Sequence, residues 1–104
     1  MASEGEAVEV ASADEVPDDE GLVVEVGGEQ IAIFELDDGY YALDHVCTHQ
    51  GGPLGEGKVE GGCVYCPWHG HEFDIRSGEH ANIDRLDTQT FEVEERDGSL
   101  YLHV

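Results

Sequence analysis

The sequence predicts an all-β protein, a small barrel or sandwich. Apolar and polar residues alternate in short runs, as in "LVVEV" and "TFEVEE". Gly-Gly and Asp-Gly pairs punctuate those runs every few residues. No eleven-residue stretch carries a helical period. The 104 residues are enough for one domain with a modest core.

Taken in order, residues 1–6 are polar and are expected to form a flexible N-terminus, leaving 7–104 as a single domain. "AVEV" at 7–10 reads as a short strand. Ser12 and Glu15 have the spacing of a capping box for one helical turn, a spacing chance supplies about as readily. "LVVEV" (22–26), Gly27-Gly28 and "QIAIFEL" (30–36) read as a hairpin. "DDG" (37–39) turns the chain into "YYALD" (40–44). "EFDIR" (72–76) is strand-like and "SGE" (77–79) turns. "TFEVEE" (90–95), Asp97-Gly98 and "SLYLHV" (99–104) make a closing hairpin. Phe34, Tyr40, Tyr41 and Phe91 are expected in the core or half-buried. His80 and His103 are expected on the surface, and Asp44 is a strand-end acid with no evident partner.

Asp plus Glu number 25 against 4 Lys plus Arg, a net charge of −21. Such a surface repels phosphates and argues against nucleic-acid binding. Two readings of the acidity stay open: steering toward a basic partner, or adaptation to high salt. The acids are dispersed along the chain instead of massed in one patch, which favours the second, a halophilic composition. No run of 18 apolar residues suggests a membrane span, and the N-terminus has neither a basic start nor an apolar signal core, so a cytoplasmic location is expected.

Cys47, Cys63 and Cys66 are an odd set, which argues against a disulfide scaffold. Two of them open Cys/His clips: "CTHQGGPLGEG" from Cys47 and "CPWHGHEFD" from Cys66. Cys47 and His49 stand two apart, Cys66 and His69 three apart, with sixteen residues between His49 and Cys66. The first spacing cannot place both ligands on one helix face. The glycines and prolines around both clips let loop backbone turn sharply and approach a bound group closely. Cys2His2 in two loops suits zinc, and it also suits a mixed-ligand iron–sulfur cluster. Cys63 and Cys66 also form a C-x-x-C pair, but a thioredoxin-type site needs a helix start there, and Pro67 follows a strand-like run. Cys63 reads instead as a spare thiol on a strand, with Val64 facing the core.

The pair C-x-H and C-x-x-H, with the flanking "GGPLGEG" and "GHEFD", resembles the Rieske iron–sulfur family over roughly residues 7–104. The chain looks like the small stand-alone Rieske ferredoxins and related subunits that serve oxygenases or nitrite reductases. The resemblance implies a Rieske-type β-barrel or sandwich base with a small cluster-binding subdomain of two loops, about 45–75. It implies a [2Fe-2S] cluster, with Cys47 and Cys66 as thiolates on the inner iron and His49 and His69 on the outer iron. Gly51, Gly52 and Pro53 match the family's first cluster loop; Pro67, Trp68 and Gly70 match its second. Trp68 is either a wall over the cluster or plain packing.

Two departures bear on the reduction potential. Where high-potential respiratory members carry a disulfide between the loops, this chain has Gly52 (or Gly51) and Trp68, so none forms. Where those members place a serine and a tyrosine that donate hydrogen bonds toward sulfur, this chain has His71 and Phe73. His71 keeps a ring donor; Phe73 has none. Fewer donors imply a potential at the low end of the Rieske range, on the order of −150 mV. His45, just before the first clip, reads as a turn residue in preference to a support behind a ligand. The stretch 80–89 departs from the family, which often has a proline there.

The function implied is that of a soluble one-electron carrier between a reductase and an oxygenase or similar enzyme, with no small-molecule substrate and no catalysis of its own. The alternatives are a fixed electron-transfer subunit of a larger oxidoreductase such as nitrite reductase, and a zinc-stabilised interaction module.

Overall fold

The computed structural model of the chain describes residues 7–18, 20–46, 52–68, 70–81, 83 and 87–103. Nine strands form two sheets, and no α-helix occurs among the described residues. The strands are β1 Ala7–Ser12, β2 Leu22–Val26, β3 Glu29–Leu36, β4 Gly39–Asp44, β5 Lys58–Glu60, β6 Cys63–Tyr65, β7 Glu72–Asp74, β8 Thr90–Arg96 and β9 Ser99–His103. The larger sheet runs β1-β9-β8-β4-β3-β2 with every pairing antiparallel. It curls until its edge strands β1 and β2 share a groove lined by Val8, Val10, Val24 and Val26, so the sheet is nearly a closed barrel. The smaller sheet is β5-β6-β7, also antiparallel.

The expected hairpins form. Gly27 and Gly28, at φ 60° and 88°, make a two-residue turn between Val26 and Glu29. Both central residues sit at positive φ, the turn whose twist matches a hairpin and which glycine adopts without strain. Ser12 precedes a single 3-10 turn, Ala13–Glu15, but its side chain makes no capping hydrogen bond there. The expected strand 72–76 stops at Asp74, whose Oδ1 accepts from the amides of Arg76 and Ser77 and so turns the chain.

β3 carries the logic of the fold. Ile31, Ala32, Ile33 and Phe34 are all wholly buried, so both faces of the strand are covered. Alternate residues enter separate cores. Ile31 and Ile33, with Ala42 of β4, meet Val16, Leu100 and Leu102 inside the barrel. Ala32 and Phe34, with Leu43 of β4, meet Leu54, Val64, Cys66, Phe73 and Ile75 on the side of the small sheet. Each large apolar side chain buried in either core contributes on the order of 1.5–3 kcal/mol. The small sheet is thereby packed onto the outer face of the β3–β4 hairpin, with Leu54 of the first Cys/His clip and Cys66 of the second in the same core.

Candidate metal centre

The ends of the first loop are pinned at several points. Val46 and Pro53 form an isolated antiparallel bridge, closing the segment between them. The Leu54 amide donates to the carbonyl oxygens of His45 at 2.8 Å and Gly52 at 3.0 Å. Asp44, expected without a partner, accepts the Val46 amide on its Oδ1 at 3.0 Å. His45, expected as a turn residue, is 8% exposed, and its Nδ1 accepts the Gly55 amide at 3.0 Å. A Cβ on Gly55 would lie 2.8 Å from that same Nδ1 and from Val23, so only glycine brings its amide this close to the ring. The Gly55 carbonyl in turn accepts from Gly21 at 2.9 Å.

The second loop is an extension of the β6–β7 ladder. The register Val64↔Phe73, Tyr65↔Glu72 continues one step to Cys66 and His71, whose main chains are joined by Cys66 N–H donating to His71 O at 2.8 Å. The Gly70 amide closes the tip by donating to Cys66 O at 2.9 Å, and Gly70 itself sits at φ 70°. Strand β5 was not expected, whereas β6 is the strand expected to carry Cys63. The signal was present: Gly61-Gly62 between "KVE" and "CVY" is a hairpin turn, at φ 63° and 82°, joining Glu60 to Cys63.

The two loops meet at Cys66, which is 3% exposed. A Cβ on Gly52 would stand 2.9 Å from Cys66 Sγ and 3.1 Å from Trp68 Cγ and Cδ2. Backbone of the first loop therefore lies directly on the sulfur of the second. Gly52, expected with Gly51 opposite Trp68, packs beside the indole of that residue, leaving no room for a Cβ between them. Trp68 is half exposed, as is Val46 beside the first loop. A buried cysteine sulfur with loop glycine laid against it fits a thiolate ligand of an iron–sulfur cluster, because glycine lets the backbone approach a bound group closely. Pro53 is half-buried at the bridge, Gly70 exposed at the tip, and Phe73 wholly buried in the core next to Cys66. Cys47, His49, Gly51 and His69 lie outside the described residues.

His80, expected on the surface, is buried at 6%. It bridges Phe73 across a short antiparallel contact, and its ring meets the Phe73 ring edge-on at 5.1 Å. Its Nε2 lies 2.7 Å from Nδ1 of His71, and its Nδ1 accepts the Ile83 amide at 3.0 Å. Its own amide donates to Asp87 Oδ1 at 2.9 Å. Ile83 and Asp87 come from a stretch whose path the sequence did not reveal, and with His71 they make burial of an imidazole tolerable. His103 is only part-exposed and pairs with Glu94 at 3.1 Å.

Cys63 lies on β6 with Val64 turned into the core, as expected. Burial, then a hydrogen bond to Glu72 and the charges of Glu72 and Asp74, push its thiol up to about 11. It is a protonated, unreactive thiol at neutral pH. Arg76 holds Asp38 by two hydrogen bonds, at 3.0 and 3.3 Å, and lies 5.5 Å from the Tyr41 ring centroid. That pair ties the segment after β7 to the β3–β4 turn and keeps the Asp38 carboxyl below the usual carboxylate range.

No helix among the described residues is long and apolar enough to cross a membrane. Residues 6–94 match the Rieske [2Fe-2S] domain. The chain is 34% identical over 71 residues to the ferredoxin component of the naphthalene 1,2-dioxygenase/salicylate 5-hydroxylase systems of Ralstonia sp, covering 68% of each. It is 32% identical over 93 residues to Ferredoxin CarAc of Metapseudomonas resinovorans, covering 88% of this chain and 87% of that one. A solved complex of reduced oxygenase and oxidized ferredoxin in carbazole 1,9a-dioxygenase contains a chain that superposes at a TM-score of 0.83 with 29% identity, covering 95% of this chain and 94% of that one. The convergence of two Gly-rich loops on a buried cysteine, on a near-closed barrel of this order, agrees with the sequence match over most of the chain: the protein belongs to the Rieske [2Fe-2S] domain family.

Proposed function

We propose that the protein is a one-electron carrier that takes electrons from a reductase and passes them to an oxygenase or a similar enzyme. The observation that carries this reading is the Gly52 backbone lying on Cys66 Sγ at the meeting of two loops, in a chain whose relatives are ferredoxin components of dioxygenase systems. A Rieske [2Fe-2S] cluster supplies one reversible electron. Cys47 and Cys66 would hold it as thiolates, and His49 and His69 as imidazoles, in a cluster-binding subdomain of about residues 45–75 on a domain spanning 7–104.

The chain's own residues set the conditions for transfer. Hydrogen bonds at Leu54, Gly55, Cys66 and Gly70 fix both loop stems, so little reorganisation accompanies a change of charge. Exposed Trp68 and Val46 give the loop side an apolar surface against which a partner excludes water. Phe73 offers no donor to sulfur, consistent with a potential at the low end of the family range. The net charge of −21 fits a cytoplasm of high salt, where repulsion is screened.

Low-temperature EPR of the dithionite-reduced protein, with iron and zinc counted on the same sample, tests the reading. Two irons per chain, and a rhombic signal with average g below that of all-cysteine clusters, are expected. One zinc and no signal would replace the carrier by a metal-stapled interaction module.

A further inference from the structure

We infer that His80 is a positioning residue that fixes the tautomer of His71 and so presents an N–H donor to the sulfur environment of Cys66. The inference rests on the cluster reading above and concerns what sets the potential of that cluster.

The hydrogen-bond sequence has a direction. The Ile83 backbone amide can only donate, so Nδ1 of His80 is the bare acceptor. The proton of neutral His80 is then on Nε2, which lies 2.7 Å from Nδ1 of His71. His80 donates and His71 accepts. Neutral His71 must therefore carry its own proton on Nε2, the ring edge turned away from His80. A free histidine imidazole favours the Nε2–H tautomer only modestly; here a backbone amide two links away reinforces that choice and holds the ring edge in place. Burial of His80 at 6%, edge-on against Phe73 and with its amide held by Asp87, prevents the ring from turning to reverse the sequence.

The ladder tells which face the His71 ring shares. Cys66 and His71 are the next opposed pair after Val64↔Phe73 and Tyr65↔Glu72. Directly opposed residues project to the same face with Cβ atoms about 4.5–5.5 Å apart. Phe73, two residues on, points into the same core as Cys66. The His71 ring thus stands on the face that carries the Cys66 sulfur. A donor aimed at a thiolate or sulfide stabilises the more negative, reduced state and raises the potential. His71 and His80 supply here, through imidazole, a donor that Phe73 cannot.

The experiment is a mutant cycle read as reduction potential on the cluster-loaded protein: wild type, His80→Phe, His71→Phe and the double variant, with His80→Gln as the conservative replacement. His80→Phe is expected to weaken reduction by about tenfold, about 59 mV for one electron. In the His71→Phe background the same change is expected to do nothing. Gln, which retains an N–H donor, is expected to recover most of the shift. An unchanged potential in His80→Phe, or an equal shift in both backgrounds, overturns the inference, since a merely structural role is blind to His71. Ring nitrogen-15 resonances of the oxidised wild-type protein decide the geometry without any variant. A bare Nδ1 on His80 is expected, and a proton there overturns the inference. Loss of the cluster reading itself would show separately, as missing iron and a missing rhombic signal in the wild type.

Discussion

The α-carbon of Gly52 faces the sulfur of Cys66 so closely that a methyl group on it would stand 2.9 Å from Sγ. The same methyl would meet the Trp68 indole at 3.1 Å, and neither neighbour is the free end of a flexible chain. Gly52→Ala must therefore push the loops apart at the proposed ligand. Iron affinity is expected to fall by about 10–100-fold, the range for disturbing groups behind a metal ligand. Iron per chain and visible absorbance of the purified variant measure this. A fully loaded Gly52→Ala protein would show that the loops do not need to touch.

His45 is the acceptor for the Gly55 amide in a buried setting. His45→Phe keeps the ring volume and removes the acceptor, leaving the amide unsatisfied. A loss of about 1–3 kcal/mol in folding stability is expected from denaturant titration. This bond is one of several that pin the first loop, so iron release to a chelator is expected to accelerate in the same variant. A variant as stable as the parent would mean that another acceptor replaces the ring.

The Cys63 thiol, pushed up to about 11 from an ordinary value of 9.0, has a defined alkaline signature. Its raised value means the folded chain keeps a proton that the unfolded chain gives up. The associated stability is complete below about pH 9 and is lost as pH rises through about 11. Alkylation by iodoacetamide, followed by mass spectrometry, is expected to be negligible at pH 7 and to accelerate only toward pH 11. Cys63→Ala is expected to leave iron content and the EPR signal unchanged. Rapid labelling of Cys63 at pH 7 in the loaded protein would contradict the assigned environment.

Reduction adds a negative charge to a chain already at −21. Raising ionic strength from about 0.01 M to about 1 M shortens the screening length from about 30 Å to about 3 Å. Both the reduction potential and Tm are expected to rise over that range, with most of the gain reached before the molar end. Redox titrations and melting curves in KCl test it. A potential indifferent to salt would show that the acidic surface is too distant from the electron-accepting site to matter, and would favour partner docking as its purpose.

Much of the architecture was legible because it depends on period-two alternation and on glycine pairs. The hairpins at Gly27-Gly28 and Asp97-Gly98, and the inward turn of Val64, follow from those rules alone. The pairing of the small sheet, and β5 within it, was harder to read because β5, β6 and β7 have three residues each, too short for alternation to stand out. His80 was misread as a surface residue for a different reason. A histidine in a polar stretch is exposed by default, and its burial here depends on acceptors and donors from His71, Ile83 and Asp87 that no local pattern announces. His45 and Gly55 show the same limit, since their bond joins residues ten apart through a loop.

β3 has both faces buried, and its odd and even residues belong to different cores. Parity along one strand therefore acts as an address. Ile31 and Ile33 speak to the barrel; Ala32 and Phe34 speak to the iron-bearing side. Sequence drift at an odd position loosens or tightens the base and leaves the electron-carrying half untouched, while drift at an even position does the reverse. In this chain the packing of one chamber can thus be altered from the odd positions while the even positions keep the shape of the other.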